Sequence, residues 1–328
     1  MPDLAVRTGE PEVPVADTAD APDAPGGDLD GLRRAFRAMG RVVVAFSGGA
    51  DSAFVARVAT DTLGADRVLC ATAVSPSLAP EELADCRSLA AEWGLRLVEV
   101  ATDELADPAY AANDGSRCYH CKASLMEALE PILDAEAVRA AWSPGTDRSV
   151  DGVAAGVEDP VRAPTVVLGV NLDDLGDHRP GQEAARQRGA VFPLVDAGFA
   201  KADVRAWSRR LGLRTWDKPA AACLASRVPY GTAVTFPVLR SVAEAESGLR
   251  SLGLGQLRVR HYGDTARIEV PADDLARVVA LREQVSAAVH AAGYRYVTLD
   301  LDGFRSGNLN DALAAPGAPP AAPAGGAR

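Results

Sequence analysis

The sequence predicts an α/β protein: a doubly wound parallel sheet followed by a smaller C-terminal α+β domain. Three observations predict it. Strand-like apolar runs alternate with helical spans from residue 42 to about 211, the pattern of successive βαβ units. The first run, Val42 to Phe46, is continuously apolar, as in a strand buried on both faces of a parallel sheet. After residue 227 the order changes to a helix, two alternating strands, a helix and a last strand.

Taken in order, residues 1–28 are rich in Pro, Ala and Asp without an apolar period, and read as a disordered acidic tail. Strands are expected at 42–46, 68–74, 96–101 and 165–170, with helices at 50–62, 80–93, 119–134, 181–188 and 201–211. The Gly, Pro and Asp punctuation of 140–163 marks a flexible surface insert within a domain that covers 29–226. In such a sheet, ligands sit at the carboxyl ends of the strands, where Ser47 falls. A helix at 237–252, strands at 256–261 and 265–270 joined through Gly263 and Asp264, a helix at 271–291 and a strand at 295–301 make a second domain over 227–310. Residues 311–328, mostly Ala, Pro and Gly, read as a disordered tail.

Charge and composition exclude several classes. Seven acidic residues against one arginine in 1–28 account for −6 of the net charge of −11. The acidic body that remains argues against a nucleic-acid partner. No apolar run approaches the roughly 20 residues that span a membrane, and Met-Pro-Asp-Leu-Ala lacks the features of a signal peptide, so a cytoplasmic location is expected. The five cysteines, Cys70, Cys86, Cys118, Cys121 and Cys223, favour metal or sulfur chemistry over a disulfide framework. Cys70, on an expected strand, and Cys86, on an expected helix, read as packing residues.

The segment Ser47-Gly48-Gly49-Ala50-Asp51-Ser52 is suited to hold a pyrophosphate. Gly48 and Gly49 let backbone amides approach an anion, and the helix that follows supplies free N–H groups and the positive end of its dipole. Ser47 and Ser52 add hydroxyl donors, and Asp51 can hold a magnesium ion. There is no lysine in this turn, so it is not a Walker loop. The pattern resembles the PP-loop ATP pyrophosphatases, which split ATP between its α- and β-phosphates to adenylate a substrate. The resemblance implies a PP-loop sheet of the adenine nucleotide α-hydrolase-like type, with ATP and Mg2+ as cofactors.

Arg117-Cys118-Tyr119-His120-Cys121-Lys122 places a Cys-x-x-Cys pair just before or within the first turn of a helix, and Cys223 lies in a loop entering a small-residue segment. Three converging cysteines could hold three corners of an iron-sulfur cluster, leaving the fourth iron open. Zinc with His120 or His178 as a fourth ligand is an alternative, and so is a redox disulfide between Cys118 and Cys121. In the second domain, Arg258 and Arg260 alternate with Leu257 and Val259, so one sheet face can pack while the other displays two guanidinium groups. Such a face is a clamp for phosphate or carboxylate, or else a solvated surface.

With these parts together, residues 30–310 outside the insert resemble the LarE family of PP-loop proteins. The segments that carry the resemblance are Ser47–Ser52, Arg117–Lys122, Gly169–Gly181, Phe192–Lys201, Lys218–Gly231 and Gly303–Asn310. The family's members are ATP-dependent sulfur transferases that help build the nickel-pincer nucleotide cofactor of lactate racemase. The resemblance implies adenylation of a carboxylate of pyridinium-3,5-biscarboxylate mononucleotide, a small-molecule nucleotide substrate, followed by its conversion to a thiocarboxylate. In some members the cysteine matching Cys223 gives up its sulfur and becomes dehydroalanine. Members with three cysteines are thought to use a [4Fe-4S] cluster, which here would rest on Cys118, Cys121 and Cys223. Ser47, Gly48, Gly49, Asp51 and Ser52 would then cradle the ATP phosphates and magnesium.

Asp173 and Asp174 would approach that magnesium, or serve as a helix N-cap and first turn. Ser226 and Arg227 would lie near the transferred group, and Arg258, Arg260 and Arg305 would bind the substrate phosphate. Glu246 is a candidate active-site acid or metal contact, with an exposed helix glutamate as the alternative. The resemblance also implies a homo-oligomer. The competing readings are a PP-loop tRNA thiolase, an amidotransferase-type adenylating enzyme and a non-enzymatic metal- or nucleotide-binding protein. A thiolase predicts a basic surface, an amidotransferase leaves the cysteines without a task, and a non-enzymatic protein does not require the intact Ser47–Ser52 loop.

Overall fold

The computed structural model describes residues 25–141, 163–175, 180–220 and 222–305. Residues 1–24 of the tail expected over 1–28, the tail expected over 311–328 and the body of the insert lie outside these residues, while Asp28 of the first tail is described as the cap of α1. The first part of the chain runs α1 (Leu29–Met39), β1 (Val42–Ala45), α2 (Ala50–Leu63), β2 (Val68–Val74), α3 (Pro80–Trp93) and β3 (Leu97–Ala101). It continues through α4 (Pro108–Ala111), α5 (Arg117–Ala141), β4 (Thr165–Leu168), α6 (Pro180–Gln187), α7 (Pro193–Asp196) and α8 (Lys201–Arg210).

The four strands form one parallel sheet in the order β3-β2-β1-β4, with Val42 of β1 paired to Val68 on one side and Thr165 on the other. Strand alternation splits β1 between two cores. Val42 and Val44 pack with α1, α2, α3 and Phe199, while Val43 packs with α5 and with Ala185 of α6. Helices on both faces make the sheet doubly wound, as expected. The central strand ends on the Ser47–Ser52 loop, at the carboxyl edge.

α1 has no counterpart among the expected elements. Its signal is short: Leu29, Leu32 and Phe36 are buried along one face, and the Asp28 carboxylate caps it by accepting the Gly31 N–H at 2.7 Å.

The second part contains α9 (Phe236–Ser251), β5 (Arg258–Tyr262), β6 (Thr265–Glu269), α10 (Leu275–Ala280), α11 (Arg282–Ala291) and β7 (Tyr296–Leu299). β5 and β6 form an antiparallel hairpin that turns at Gly263 (φ 61°), and β7 adds in parallel beside β6. The single helix expected over 271–291 is divided, because Leu281 leaves helical dihedrals (φ −94°, ψ 16°) between α10 and α11.

An apolar seam joins the two parts. Tyr110 of α4 packs with Leu224, Ala225 and Val228, and with Leu239 and Val242 of α9. Full burial of a Val or Leu contributes about 1.5–3 kcal/mol, so the short 3-10 turn Leu224–Arg227 is firmly anchored between the two sheets. Among the described residues no helix is long and apolar enough to cross a membrane.

Candidate active site

The loop after β1 is braced from within. The Ser47 N–H donates to Ser52 Oγ (3.2 Å), the two hydroxyls are 3.1 Å apart, and Ser52 Oγ donates to the Gly49 carbonyl (3.2 Å). Gly48 takes φ 67°, a region open to glycine, and a Cβ there would stand 2.9 Å from the Sγ of buried Cys86. Cys86 is therefore the floor of the loop, and Cys70 is buried in the same core. A second glycine sets the far wall. A Cβ on Gly169, just past β4, would lie 2.7 Å from the Ser52 nitrogen.

Asp51, in the first turn of α2, accepts from Asn171 Nδ2 (3.2 Å) and from Lys201 Nζ (2.5 Å). Asp173 and Asp174 do backbone work. Asp174 accepts the Asn171 N–H at 3.1 Å, and Asp173 accepts the N–H of Lys201, the first residue of α8, at 2.7 Å. These contacts fit the capping alternative, and each uses one oxygen of its carboxylate. Lys218 Nζ reaches the Gly48 carbonyl (3.2 Å), Glu82 (2.8 Å) and Asp85 (2.6 Å). The two lysines and Asn171 were not expected here. They come from segments more than a hundred residues away along the chain, and no local pattern joins them to the loop.

The Cys-x-x-Cys pair lies in the first turn of α5, with Cys118 exposed and Cys121 partly covered. Cys223 is exposed at the N-cap of the Leu224–Arg227 turn. The two segments are tied by Asn113 and Arg117. Asn113 is wholly buried at φ 56°, and its Nδ2 donates to the carbonyls of Pro229 (2.8 Å) and Thr232 (2.9 Å). Its Oδ1 accepts from Arg117 Nη1 (2.5 Å), which also donates to the Ala225 carbonyl (2.9 Å).

Burial works against the Arg117 charge, and Cys223 and Cys118 nearby outweigh it. Burial pushes the Cys121 thiol up to about 12; Lys122 opposes this, and Cys223, Glu104 and Cys118 add to it. The three thiols thus share one neighbourhood around Arg117. They do not close on a single ion: among the described residues no three His, Cys, Asp or Glu side chains could hold one. His120 is bound through Nδ1 to Asp107 (2.7 Å), and His178 lies outside the described residues.

Behind Cys223 the turn is gripped by arginine. Arg227 donates to the carbonyls of Ala222 (2.5 Å) and Cys223 (3.1 Å) and to Ser226 Oγ (3.1 Å), while Ser226 Oγ donates to the Cys223 carbonyl (2.7 Å). The other edge of Arg227 meets both oxygens of Glu246. Glu246 is 0% exposed and also accepts from Arg250 (2.8 Å) and the Val259 N–H (3.0 Å). The exposed glutamate foreseen as an alternative is therefore corrected to a buried hub, because α9 turns this residue toward β5.

The hairpin arginines are also not displayed to solvent. Arg260 is buried, bound to Glu269 (2.9 Å) and the Ser226 carbonyl (2.8 Å). The Leu224–Arg227 turn covers the sheet face that the alternation left open. Arg258 is 7% exposed and stacks on the Phe304 ring at 4.6 Å. Burial lowers its pKa to about 10, with the charges of Arg227 and Arg260 adding. Among the described residues no carboxylate is hydrogen-bonded to Arg258, so it is the cation of this group with capacity for a new anion. Arg305 is exposed and pairs with Asp302 (3.2 Å).

The arrangement offers a phosphate loop at one sheet edge, a gripped and exposed thiol beyond it, and a buried arginine group behind that thiol. Residues 32–120 match the family model described as NAD synthase. A pyridinium-3,5-bisthiocarboxylic acid mononucleotide synthase of Lactiplantibacillus plantarum is 37% identical over 282 residues, 86% of this chain and 93% of that protein. An uncharacterized protein of Synechocystis sp. is 42% identical over 288 residues, 87% of this chain and 97% of that one. Another, of Methanocaldococcus jannaschii, is 25% identical over 266 residues, 81% and 91% of the two chains. With its strand-loop-helix phosphate site and this extent of shared sequence, the chain belongs to the LarE family of ATP-dependent sulfur transferases built on the PP-loop fold.

Proposed function

We propose that the protein adenylates a carboxylate of pyridinium-3,5-biscarboxylate mononucleotide and converts it to a thiocarboxylate, on the route to a nickel-pincer nucleotide for lactate racemase. The observation that carries this reading is the exposed Cys223, its carbonyl held by Arg227, in a chain that keeps the Ser47–Ser52 loop intact. The substrate carboxylate oxygen attacks the α-phosphorus of ATP, and pyrophosphate leaves. The acyl-adenylate gives the carbonyl carbon a good leaving group; sulfur attacks that carbon and AMP departs. Ser47, Ser52 and the amides around Gly48 and Gly49 orient the phosphates, and Asp51, now bound by Lys201 and Asn171, would hold the magnesium that accompanies ATP. Arg258, backed by Arg260, receives the nucleotide phosphate of the acceptor, with Arg305 as a further contact.

For the sulfur source we favour a [4Fe-4S] cluster on Cys118, Cys121 and Cys223. Each cluster ligand binds a different iron, so the thiols need only be neighbours and need not converge on one ion. The cluster would supply a transferable sulfide and so allow repeated turnover. The second reading is sacrificial: Cys223 attacks as thiolate, and loss of its Cα proton then breaks the Cβ–S bond to leave dehydroalanine. Its exposure favours that route as well.

The test is a reaction of the purified protein with Mg-ATP and the biscarboxylate mononucleotide. AMP, pyrophosphate and a product with sulfur in place of oxygen are expected in equal amounts. AMP release that ignores this acceptor but responds to tRNA would overturn the reading. A cytoplasmic homo-oligomer belongs to the same reading and is checked by fractionation and light scattering.

A further inference from the structure

The buried charges behind Cys223 do not balance. Arg227, Arg258 and Arg260 are all buried, and among the described residues the buried carboxylates that meet this group are Glu246 and Glu269. Both carboxylates are also drawn outward, Glu246 by Arg250 (2.8 Å) and Glu269 by Arg267 (2.9 Å). Arg227 and Arg260 share what remains. Arg258 faces Glu269 in the strand register, yet its side chain makes no hydrogen bond to a described residue and meets only the Phe304 ring. A buried cation without its own counter-charge is costly, and a ring contact leaves its N–H donors uncommitted.

Phe304 is brought to Arg258 by a turn that favours glycine. After β7 the chain folds back on the end of β6, where the Gly303 N–H donates to the Asp300 carbonyl (3.2 Å) and the Phe304 N–H to the Val270 carbonyl (2.8 Å). Gly303 takes φ 74°, and a Cβ there would stand 3.0 Å from that same Val270 carbonyl. The ring is thereby set with its centroid 4.6 Å from the guanidinium carbon of Arg258. A guanidinium stacked on a ring keeps its edge for paired hydrogen bonds to a phosphate. Arg305 follows at once, and its partner Asp302 is itself 72% exposed. We propose that Phe304 is a positioning residue of the phosphate site: its ring keeps water off Arg258 and fixes the guanidinium so that its edge meets a phosphate monoester, with Arg305 closing from outside. This rests on the proposed function for the phosphate, but not for the pyridinium ring that carries it.

The test reads phenylglyoxal modification of Arg258 itself, by peptide mass spectrometry on the full chain, across a titration of inorganic phosphate. In the wild type, saturating phosphate slows this modification several-fold. In Phe304→Leu, which keeps an apolar side chain but no ring, half-protection needs about ten times more phosphate, the scale of a dehydrated cation–π contact. Phe304→Tyr keeps the wild-type value. With Mg-ATP and the biscarboxylate mononucleotide, Phe304→Leu raises KM for the mononucleotide and leaves KM for ATP unchanged, a split that general loosening of the fold does not give. The proposal is overturned if phosphate does not protect Arg258 in the wild type, if Phe304→Leu matches the wild type, or if Phe304→Tyr behaves as Phe304→Leu. Should phosphate protect Arg258 through Phe304 while the wild type ignores the biscarboxylate mononucleotide, the choice of acceptor fails and the role of Phe304 stands.

Discussion

Arg227 and Glu246 meet through two hydrogen bonds, Nε to Oε1 at 2.8 Å and Nη2 to Oε2 at 3.1 Å, inside the protein. The pair fastens the turn behind Cys223 to α9 and joins two residues that the sequence singles out for chemistry. Removing one partner of a buried pair leaves an uncompensated charge and costs about 3–5 kcal/mol. Glu246→Leu is therefore expected to lose stability on that scale in urea unfolding. The double variant Arg227→Met with Glu246→Leu should lose clearly less than the sum of the two single changes. Simple additivity would mean that the pair is not coupled.

Asn113 combines two constraints. Its backbone is left-handed at φ 56°, and its buried amide binds the carbonyls of the 228–232 segment. Asn113→Ala loses the amide and keeps a Cβ in a region that costs roughly 1–2 kcal/mol for an ordinary residue. Asn113→Gly loses only the amide. Glycine should then be the milder substitution by about 1 kcal/mol in denaturant melts, and both should raise alkylation of the Cys223 segment. Equal losses would remove the backbone part of this account.

Much of this was legible in the sequence, because β1, its glycine turn and α2 are one continuous segment whose pattern needs no partner to be read. The Cys-x-x-Cys pair and the hairpin with Arg258 and Arg260 are legible for the same reason. What the sequence does not display is long-range convergence. Lys201 and Lys218 at the loop, the Asn113 clamp and the burial of Glu246 depend on which faces meet across the sheets. Periodicity gives Arg258 and Arg260 a common face, but it cannot say that the Leu224–Arg227 turn covers that face. α1 is missed for a different reason: Leu29, Leu32, Phe36 and Met39 recur at helical spacing, but over only eleven residues directly after an acidic, proline-rich tail.

Gly169 tests the tight approach of β4's end to the phosphate loop. A methyl group there would lie 2.7 Å from the Ser52 nitrogen and 2.8 Å from the Asp51 carbonyl carbon, both backbone atoms that cannot swing aside. Gly169→Ala should displace the first turn of α2 and weaken ATP binding by about tenfold or more, the scale of one lost charge-assisted contact. Far-UV circular dichroism should stay unchanged, since the sheet itself is not altered. Calorimetry with an ATP analogue checks it, and unchanged affinity would show that the loop has slack.

The cysteines give the prediction that separates the two sulfur sources. The thiolate is the reactive form, and burial pushes Cys121 up to about 12, so at neutral pH it stays protonated while Cys118 and Cys223 lie exposed. In metal-free protein iodoacetamide should therefore modify Cys118 and Cys223 well before Cys121. After anaerobic reconstitution with iron and sulfide, a cluster on all three would protect them together, and Cys118→Ala would lower bound iron and remove that protection from Cys223. If reconstituted protein holds no iron, and Cys223 remains as reactive as before, the sulfur must come from the side chain itself. The peptide carrying residue 223 would then show loss of hydrogen sulfide after a single turnover, and Cys118→Ala would leave that single turnover intact.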